Sequence, residues 1–176
     1  ITIEGFDERV ARGTMDTNFY GTVHVTDAIV PLMNEAGRVV IVSSSAGTLS
    51  ILSPELKERF AADDLTREKL FALVEKFVED VSKGRHSEAG WPTSCYGVSK
   101  AALNAFVRIS AAELAKKGIA INAVGPGWVR TDMGGPAASR DVGVGQAAMV
   151  SPSQHSAWLS PNIGHDESRQ AAWPWT

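Results

Sequence analysis

Tyr96 and Lys100 are the two side chains whose types and spacing most clearly indicate catalysis. Residues four apart lie on one face of a helix, so both side chains can point into the same cleft. An ammonium group beside a phenol favours the phenolate, which lowers the pKa of a tyrosine from about 10 toward neutral. The pair is therefore suited to general acid catalysis near pH 7. Taken alone, the spacing agrees equally well with ordinary packing on a helix surface.

Three further polar segments stand where they could join this pair. The run Ser43-Ser44-Ser45-Ala46-Gly47 follows one apolar segment, the run from Pro126 to Thr131 follows another, and Asn18 precedes both. If the two apolar segments are parallel strands, their carboxyl ends share one edge of the sheet, where open α/β sheets bind ligands. The sequence thus predicts a single crevice that gathers these segments with Tyr96 and Lys100.

Two short apolar runs predict the strands that would position this crevice. Residues 38–43 are rich in β-branched side chains and predict a strand buried on both faces, as in a parallel sheet. Residues 119–124 predict a second buried strand, which Gly125, Pro126 and Gly127 end.

Helical periodicity fills the intervals between these strands. Apolar residues at steps of three and four predict helices over 17–35 and 97–117. Residues 51–90 predict an amphipathic hairpin, with a helix start at Ser53-Pro54 and a second helix over 66–83. Helices that alternate with strands in this order predict an α/β domain with a parallel sheet.

Composition excludes several other classes of protein. The 176 residues are 44% hydrophobic with a net charge of −3, which gives no electrostatic reason to bind nucleic acid or an anionic membrane. No apolar run approaches the roughly 18 residues that a membrane span requires. Cys95 is the only cysteine, so a disulfide within the chain is impossible, and we interpret it as a small buried thiol. The four histidines lack metal-ligand spacing, so we predict no metal site. We also expect the protein to be cytoplasmic.

The order of these segments resembles the short-chain dehydrogenase/reductase family. The matching motifs are Asn-x-x-Gly at Asn18 to Gly21, the strand-ending pair Ser43-Ser44, Tyr-x-x-x-Lys at Tyr96 and Lys100, and Pro-Gly-x-Val-x-Thr at Pro126 to Thr131. Within the family, residues 90–100 and 126–133 and the helix start at 53–56 resemble the monomeric carbonyl reductases. The resemblance implies the C-terminal half of a Rossmann-like doubly wound parallel sheet with a helical insertion.

The resemblance implies a role for each catalytic motif. Tyr96 would protonate the substrate carbonyl oxygen while hydride arrives from the nicotinamide, and Lys100 would lower the pKa of Tyr96 and bind the ribose hydroxyls. Ser44 would donate a hydrogen bond to the carbonyl as charge develops. We choose Ser44 over Ser43 because the family's serine stands three residues before a frequent glycine, here Gly47.

Two side chains have competing interpretations. Asn18 would hold a water molecule of the proton relay, and the alternative is a side-chain bond within its own helix. Trp128 would line the substrate pocket, and the alternative is a buried core aromatic.

The resemblance also implies a cofactor-binding loop after the second strand. It contains Pro126 and Gly127, with the backbone of Val129 holding the carboxamide and Thr131 reaching a cofactor phosphate. The cofactor implied by the subgroup is NADPH, with NADH left open because the residues that choose between them lie outside the matching region. The substrate would be a small-molecule ketone or aldehyde. Many relatives pair through helices beside this site, and we expect the hairpin over 51–90 to pack across that face and keep a complete protein monomeric.

Two departures from the family pattern matter. No Gly-rich turn between a strand and a helix, which binds the cofactor pyrophosphate, precedes Asn18. Residues 151–176 match no part of the pattern and stay unassigned, so we interpret residues 1–150 as a partial domain. The sheet of this partial domain would expose an edge. Because the pyrophosphate-binding turn is missing, residues 1–176 alone would bind NADPH weakly or not at all. The alternative function is a non-catalytic truncated fragment, or an interaction protein, that retains a reductase-like remnant.

Overall fold

The computed structural model describes residues 5–150 of the chain, with side chains up to residue 146. The α-helices are α1 Glu8–Thr14, α2 Gly21–Ile29, α3 Pro54–Ala61, α4 Arg67–Ser82, α5 Cys95–Ala115 and α6 Val142–Val150, and the strands are β1 Arg38–Val42 and β2 Ala120–Val124. A π-helical turn covers Met15–Tyr20, and 3-10 turns cover Val30–Leu32, Ser45–Gly47 and Leu49–Ile51. Residues 151–176 lie outside the described part.

The two strands form a parallel pair. Arg38 stands opposite Ala120 and Val42 opposite Val124, so both strands end at the same edge. Helix α5 packs against β2 and against the Ser45–Gly47 turn that follows β1. This helix-covered parallel pair confirms the predicted α/β class, and it brings the turn after β1 beside the first turns of α5.

The prediction that β1 is buried on both faces is wrong. Only Ile41 is buried, whereas Val40 and Val42 are 36% and 45% exposed. The reason is that exposed and covered residues alternate along the strand, so the face that carries Arg38, Val40 and Val42 is open to solvent in the described part. Strand β2 has a partner helix and is buried from Ile121 to Val124, as predicted.

The first predicted helix also has different bounds. Helical structure begins at Glu8, where the Asp7 carboxylate accepts a hydrogen bond of 2.8 Å from the backbone N–H of Val10. Helix α2 ends at Ile29, and the chain tightens into a 3-10 turn that contains Pro31. Because proline lacks an N–H and crowds the preceding turn, the helix does not continue to residue 35.

The hairpin over 51–90 folds as predicted, with side-chain caps at both helix starts. Ser53 accepts from the N–H of Leu56 before α3, and Thr66 accepts from the N–H of Lys69 before α4. The apolar stripe of α4 packs on α1 and α5. Arg108 on α5 donates to the carbonyl of Phe60 at 2.7 Å, which ties the end of α3 to the same helix. The hairpin therefore covers a face of α5, as expected.

A buried carboxylate fixes the segment that leads into α5. Asp80 is 1% exposed and accepts hydrogen bonds from Lys76, from Arg85 at 2.8 Å and from the Trp91 indole at 3.1 Å. Burial alone would raise the pKa of Asp80, but these three donors outweigh it and hold the pKa below its ordinary value. The Trp91 ring also packs edge-on against Phe77. The start of α5 is thereby anchored to the hairpin.

Candidate active site

The first turns of α5 carry Tyr96 and Lys100. Ser94 caps the helix by accepting a 3.0 Å hydrogen bond from the N–H of Gly97. Both side chains are half-buried, and the Lys100 Nζ lies 5.5 Å from the centre of the Tyr96 ring. The helix thus places the two groups side by side, as the spacing of four residues predicts.

Lys100 also links α5 to the end of β1. Its Nζ donates a hydrogen bond of 2.9 Å to the backbone carbonyl of Val42, the last residue of the strand. Burial lowers the pKa of Lys100 below its ordinary value, because removal of water penalises the ammonium form. The lysine therefore combines a fixed position with a partly desolvated charge.

The three serines after β1 differ in their surroundings. Ser43 is buried, and its hydroxyl donates at 2.6 Å to the amide oxygen of Asn104. Ser44 is half-buried, and its Oγ accepts a 3.1 Å hydrogen bond from the N–H of Ala46, which leaves its own proton available as a donor. Ser45 is exposed. The structure thus separates a structurally committed Ser43 from Ser44, whose role in substrate binding stays a prediction.

Gly47 lets the serine turn lie directly on α5. A Cβ at this position would stand 2.5 Å from the backbone carbon of Lys100 and 2.6 Å from the nitrogen of Ala101. Any side chain would have to push the turn away from the helix. The absence of a side chain at Gly47 therefore sets the distance between Ser44 and the Tyr96 helix.

Asn18 is positioned by the π-helical turn. Its amide nitrogen donates at 3.2 Å to the hydroxyl of Ser99, and that hydroxyl donates at 2.8 Å to the backbone carbonyl of Tyr96. The side chain reaches across to α5 and does not bond within its own helix, so that alternative interpretation is wrong. A relay water at Asn18 stays a prediction.

The loop after β2 is held by its own contacts. Gly127 adopts a φ of +83°, which a side chain would strain, and Arg140 donates at 3.2 Å to the carbonyl of Pro126. Val129 pairs with Arg140 in an isolated parallel bridge. Thr131 accepts at 3.1 Å from the N–H of Gly134. Within residues 5–150, no hydrogen bond joins this loop to Tyr96, Lys100 or Ser44, so its part in cofactor binding stays a prediction.

Trp128 projects from the same loop. It is 56% exposed, and its indole nitrogen donates at 2.8 Å to the carbonyl of Gly134. This exposure shows that the alternative of a core aromatic is wrong. A pocket-lining role stays a prediction.

Cys95 and metal chemistry add no competing site in the described region. The thiol of Cys95 is buried, and burial raises its pKa to about 11, so it is protonated at neutral pH and a poor nucleophile. Within residues 5–150, no three His, Cys, Asp or Glu side chains cluster as metal ligands, and no helix is long and apolar enough to cross a membrane.

Sequence reasoning missed Ser99 and Asn104. Ser99 lies three residues after Tyr96, and Asn104 lies four after Lys100, so both share the face of α5 that carries the pair. The spacing of three or four residues that joined Tyr96 with Lys100 also places Ser99 and Asn104 on this face. They were missed because only its apolar residues were taken as buried.

Comparisons with known proteins identify chains that this one resembles. Residues 81–158 match a family profile described as enoyl-(acyl carrier protein) reductase. The chain is 48% identical over 136 residues to carbonyl reductase (NADPH) 1 of Homo sapiens and 45% identical to the Rattus norvegicus protein of the same name. Each match covers 74% of this chain and 49% of the relative. The chain therefore spans about half the length of the curated relatives it matches.

Two solved structures give similar results. Salutaridine reductase from Papaver somniferum superimposes with a TM-score of 0.78 at 29% identity, over 90% of this chain and 53% of that one. Menthone neomenthol reductase from Mentha piperita has a TM-score of 0.63 at 37% identity, over 70% of this chain and 43% of that one.

Proposed function

The chain belongs to the short-chain dehydrogenase/reductase family, and from this premise we propose that the protein is an NADPH-dependent reductase of small-molecule ketones or aldehydes. The observation that carries the proposal is the arrangement at the start of α5. Tyr96 and Lys100 stand side by side, Lys100 reaches the end of β1, and Gly47 brings Ser44 against the same helix. These contacts support a shared site for a proton donor, a cation and a hydroxyl donor at the end of β1.

Each of these residues has a defined task in carbonyl reduction. The Tyr96 hydroxyl gives its proton to the carbonyl oxygen as that oxygen gains charge, and the Lys100 ammonium stabilises the phenolate that remains. The Ser44 hydroxyl donates a hydrogen bond to the same oxygen, which stabilises the developing negative charge. Asn18 holds a water through which Tyr96 recovers a proton.

The residues present fit a nicotinamide cofactor. The Lys100 ammonium has three N–H donors, and the Val42 carbonyl takes one, so donors remain for ribose hydroxyls. The loop from Pro126 through Gly127 would lie along the nicotinamide, with the Val129 backbone at the carboxamide and Thr131 at a phosphate. Bound NADPH would supply the hydride. We propose NADPH over NADH because the carbonyl reductases that the chain resembles are named for NADPH.

Other parts of the proposal rest on the hairpin and on the composition. The hairpin covers a face of α5, which supports a monomer for the complete protein. Trp128 is exposed beside the proposed loop and would contribute an aromatic wall to the substrate pocket. We place the protein in the cytoplasm, because its single cysteine suits a reducing compartment.

One observation favours the alternative of a non-catalytic form. Within residues 5–150, no Gly-rich turn joins a strand to a helix, so the described part offers no pyrophosphate cradle. Titration of residues 1–176 with NADPH, followed by fluorescence, distinguishes the two. Micromolar binding with turnover of a reactive dicarbonyl supports catalysis by this chain, and the absence of both supports the alternative for it.

The chain offers a matched test, because it has two tyrosines. In the full-length protein that carries these residues, Tyr96→Phe is expected to reduce kcat about 10²–10⁴-fold, since the ring remains but the proton donor is lost. The Kd for NADPH should change less than about threefold. Tyr20→Phe is the control, because the Tyr20 hydroxyl donates to Glu75 instead. Turnover of Tyr96→Phe within a few-fold of the parent would contradict the assignment.

A further inference from the structure

A single buried side chain brackets the turn that carries Ser44. The amide oxygen of Asn104 accepts from the Ser43 hydroxyl at 2.6 Å, and its amide nitrogen donates to the Gly47 carbonyl at 3.2 Å. Asn104 is 4% exposed. Its two partners stand immediately before Ser44 and three residues after it, so the amide holds both ends of the turn.

The bracket ties the turn to the same face of α5 as the catalytic pair. Asn104 lies one helical turn after Lys100, and eight residues after Tyr96. Gly47 adds a backbone contact between the turn and the helix at Lys100. The place of Ser44 relative to Tyr96 is therefore set by Asn104 and Gly47 together.

We propose that Asn104 is a positioning residue, which holds the Ser44 hydroxyl at the place where it can share one carbonyl oxygen with the Tyr96 hydroxyl. This inference rests on the proposed carbonyl reduction. Asn104 touches neither substrate nor cofactor and acts through the Ser43–Gly47 turn. A displacement of about 1 Å at such a donor is enough to lower a rate by one to two orders of magnitude.

The chemistry of the amide explains why asparagine suits this position. A planar carboxamide offers one acceptor and one donor from a short side chain, which matches one hydroxyl and one carbonyl. Aspartate keeps the acceptor for Ser43 but loses the donor for Gly47 and buries a charge. Leucine has the same branched shape with somewhat larger ends, but it leaves both partners unsatisfied, which is costly in a buried site.

The first experiment measures the turn itself by hydrogen–deuterium exchange of residues 1–176. In the parent, the N–H groups of Ala46, Gly47 and Thr48 are bonded within the turn. Asn104→Leu is expected to speed exchange of these amides at least about tenfold. The control is Ser110→Ala, because Ser110 is also on α5 and is 6% exposed. Ser110→Ala should leave the turn unchanged, and equal exchange in Asn104→Leu and the parent would overturn the proposal.

The second experiment measures the consequence for catalysis in the full-length protein. Asn104→Leu is expected to lower kcat about 10–100-fold, with the Kd for NADPH within threefold of the parent. Combining it with Ser43→Ala should add little further loss, because both substitutions break the same bracket. A faster-exchanging turn with an unchanged kcat, or a loss confined to NADPH binding, would overturn the positioning role.

A third variant and the exchange data separate the possible failures. If Asn104→Leu does not fold, Ser43→Ala alone removes one arm of the bracket, and faster exchange in the turn with a lower kcat is still required. If the parent reduces no carbonyl, the proposed function and the positioning role for that reaction fall together, whereas the exchange result reports on the bracket alone. An active parent with an unaffected kcat in the bracket variants would overturn the positioning role and leave the proposed function intact.

Discussion

The two flanks of strand β1 differ sharply in how they are packed. On the inner flank, β2 pairs with the strand, and Gly47 packs the turn after it directly on α5. On the outer flank, β1 and α2 line an open groove of ≈ 560 Å³, where Val40 and Val25 are exposed. We call the first the closed flank and the second the open flank. Lys100 bonds the carbonyl of Val42, which points away from β2, because the N–H of Ser43 in the same peptide donates to Val124.

This difference separates a packed side of the strand from a side that is open to solvent. On the packed side, the turn that carries Ser44 is held by the buried side chain of Asn104. Within residues 5–150, no strand pairs with the outer edge of β1, and the apolar side chains beside it form a surface that favours association. The exposed edge expected from the sequence is therefore present in the described region.

The largest expected effect comes from filling the closed flank at Gly47. Gly47→Ala places a Cβ 2.5 Å from the backbone of Lys100, and overpacking of this kind costs about 1–3 kcal/mol. Urea unfolding of residues 1–176 should show this loss, with faster exchange of the serine turn.

Gly143→Ala is the matched control for that change. Gly143 lies in α6 with no atom within 4 Å of a Cβ at that position, so alanine should be neutral or stabilise the protein by up to about 1 kcal/mol. Equal unfolding midpoints for the two variants would show that the contact at Gly47 is not tight.

A smaller effect is expected from the titration of Lys100. Because burial lowers its pKa, the unfolded chain binds a proton at Lys100 in a pH range where the folded chain has released it. The free energy of unfolding therefore rises with pH through that range and levels above the unfolded pKa of about 10.4. Measured from pH 7 to 10, the stability of the parent relative to Lys100→Met should increase.

Lys117→Met gives the reference for that comparison. Lys117 lies beyond the end of α5 and is exposed, so Lys117→Met is a substitution at the surface. The parent should gain less against this variant over the same pH range. An equal gain against both variants would contradict a special environment for Lys100.

The smallest effect on folding is expected on the open flank. Val40→Lys should change the free energy of unfolding by less than about 0.5 kcal/mol, because the side chain is already exposed. It should reduce self-association, measured by light scattering at rising concentration, because a charge at a strand edge opposes pairing. Leu32→Lys is the control, since Leu32 is 79% exposed but does not line the groove. Equal scattering by both variants would contradict the outer edge as the associating surface.

Sequence reasoning succeeded where the signals were local. The helix that carries Tyr96 was predicted to within two residues, because its apolar spacing is regular and Gly118 follows its last turn. The pairing of Tyr96 with Lys100 followed from the same periodicity. Such features need no knowledge of the rest of the fold.

The features that sequence reasoning missed depend on distant contacts. The partners of Asn104 lie 61 and 57 residues away, so nothing near Asn104 announces them. The exposure of β1 depends on what covers the face that carries Val40 and Val42, which a run of β-branched residues does not encode. The π-helical turn at Met15–Tyr20 likewise has no marker residue comparable to a proline or a glycine.

That turn also fixes the rotational phase of the helices on either side of it. The N–H of Gly21 bonds to the carbonyl of Asp16, five residues earlier, so the turn holds one residue more than an α-helical turn. Each residue rotates an α-helix by about 100°. A deletion of Thr17 would therefore remove the extra residue and let the turn close as an ordinary α-helical turn, with Val23 still facing the core. Along this stretch the protein should lose one residue without a large rotation of the helix that follows.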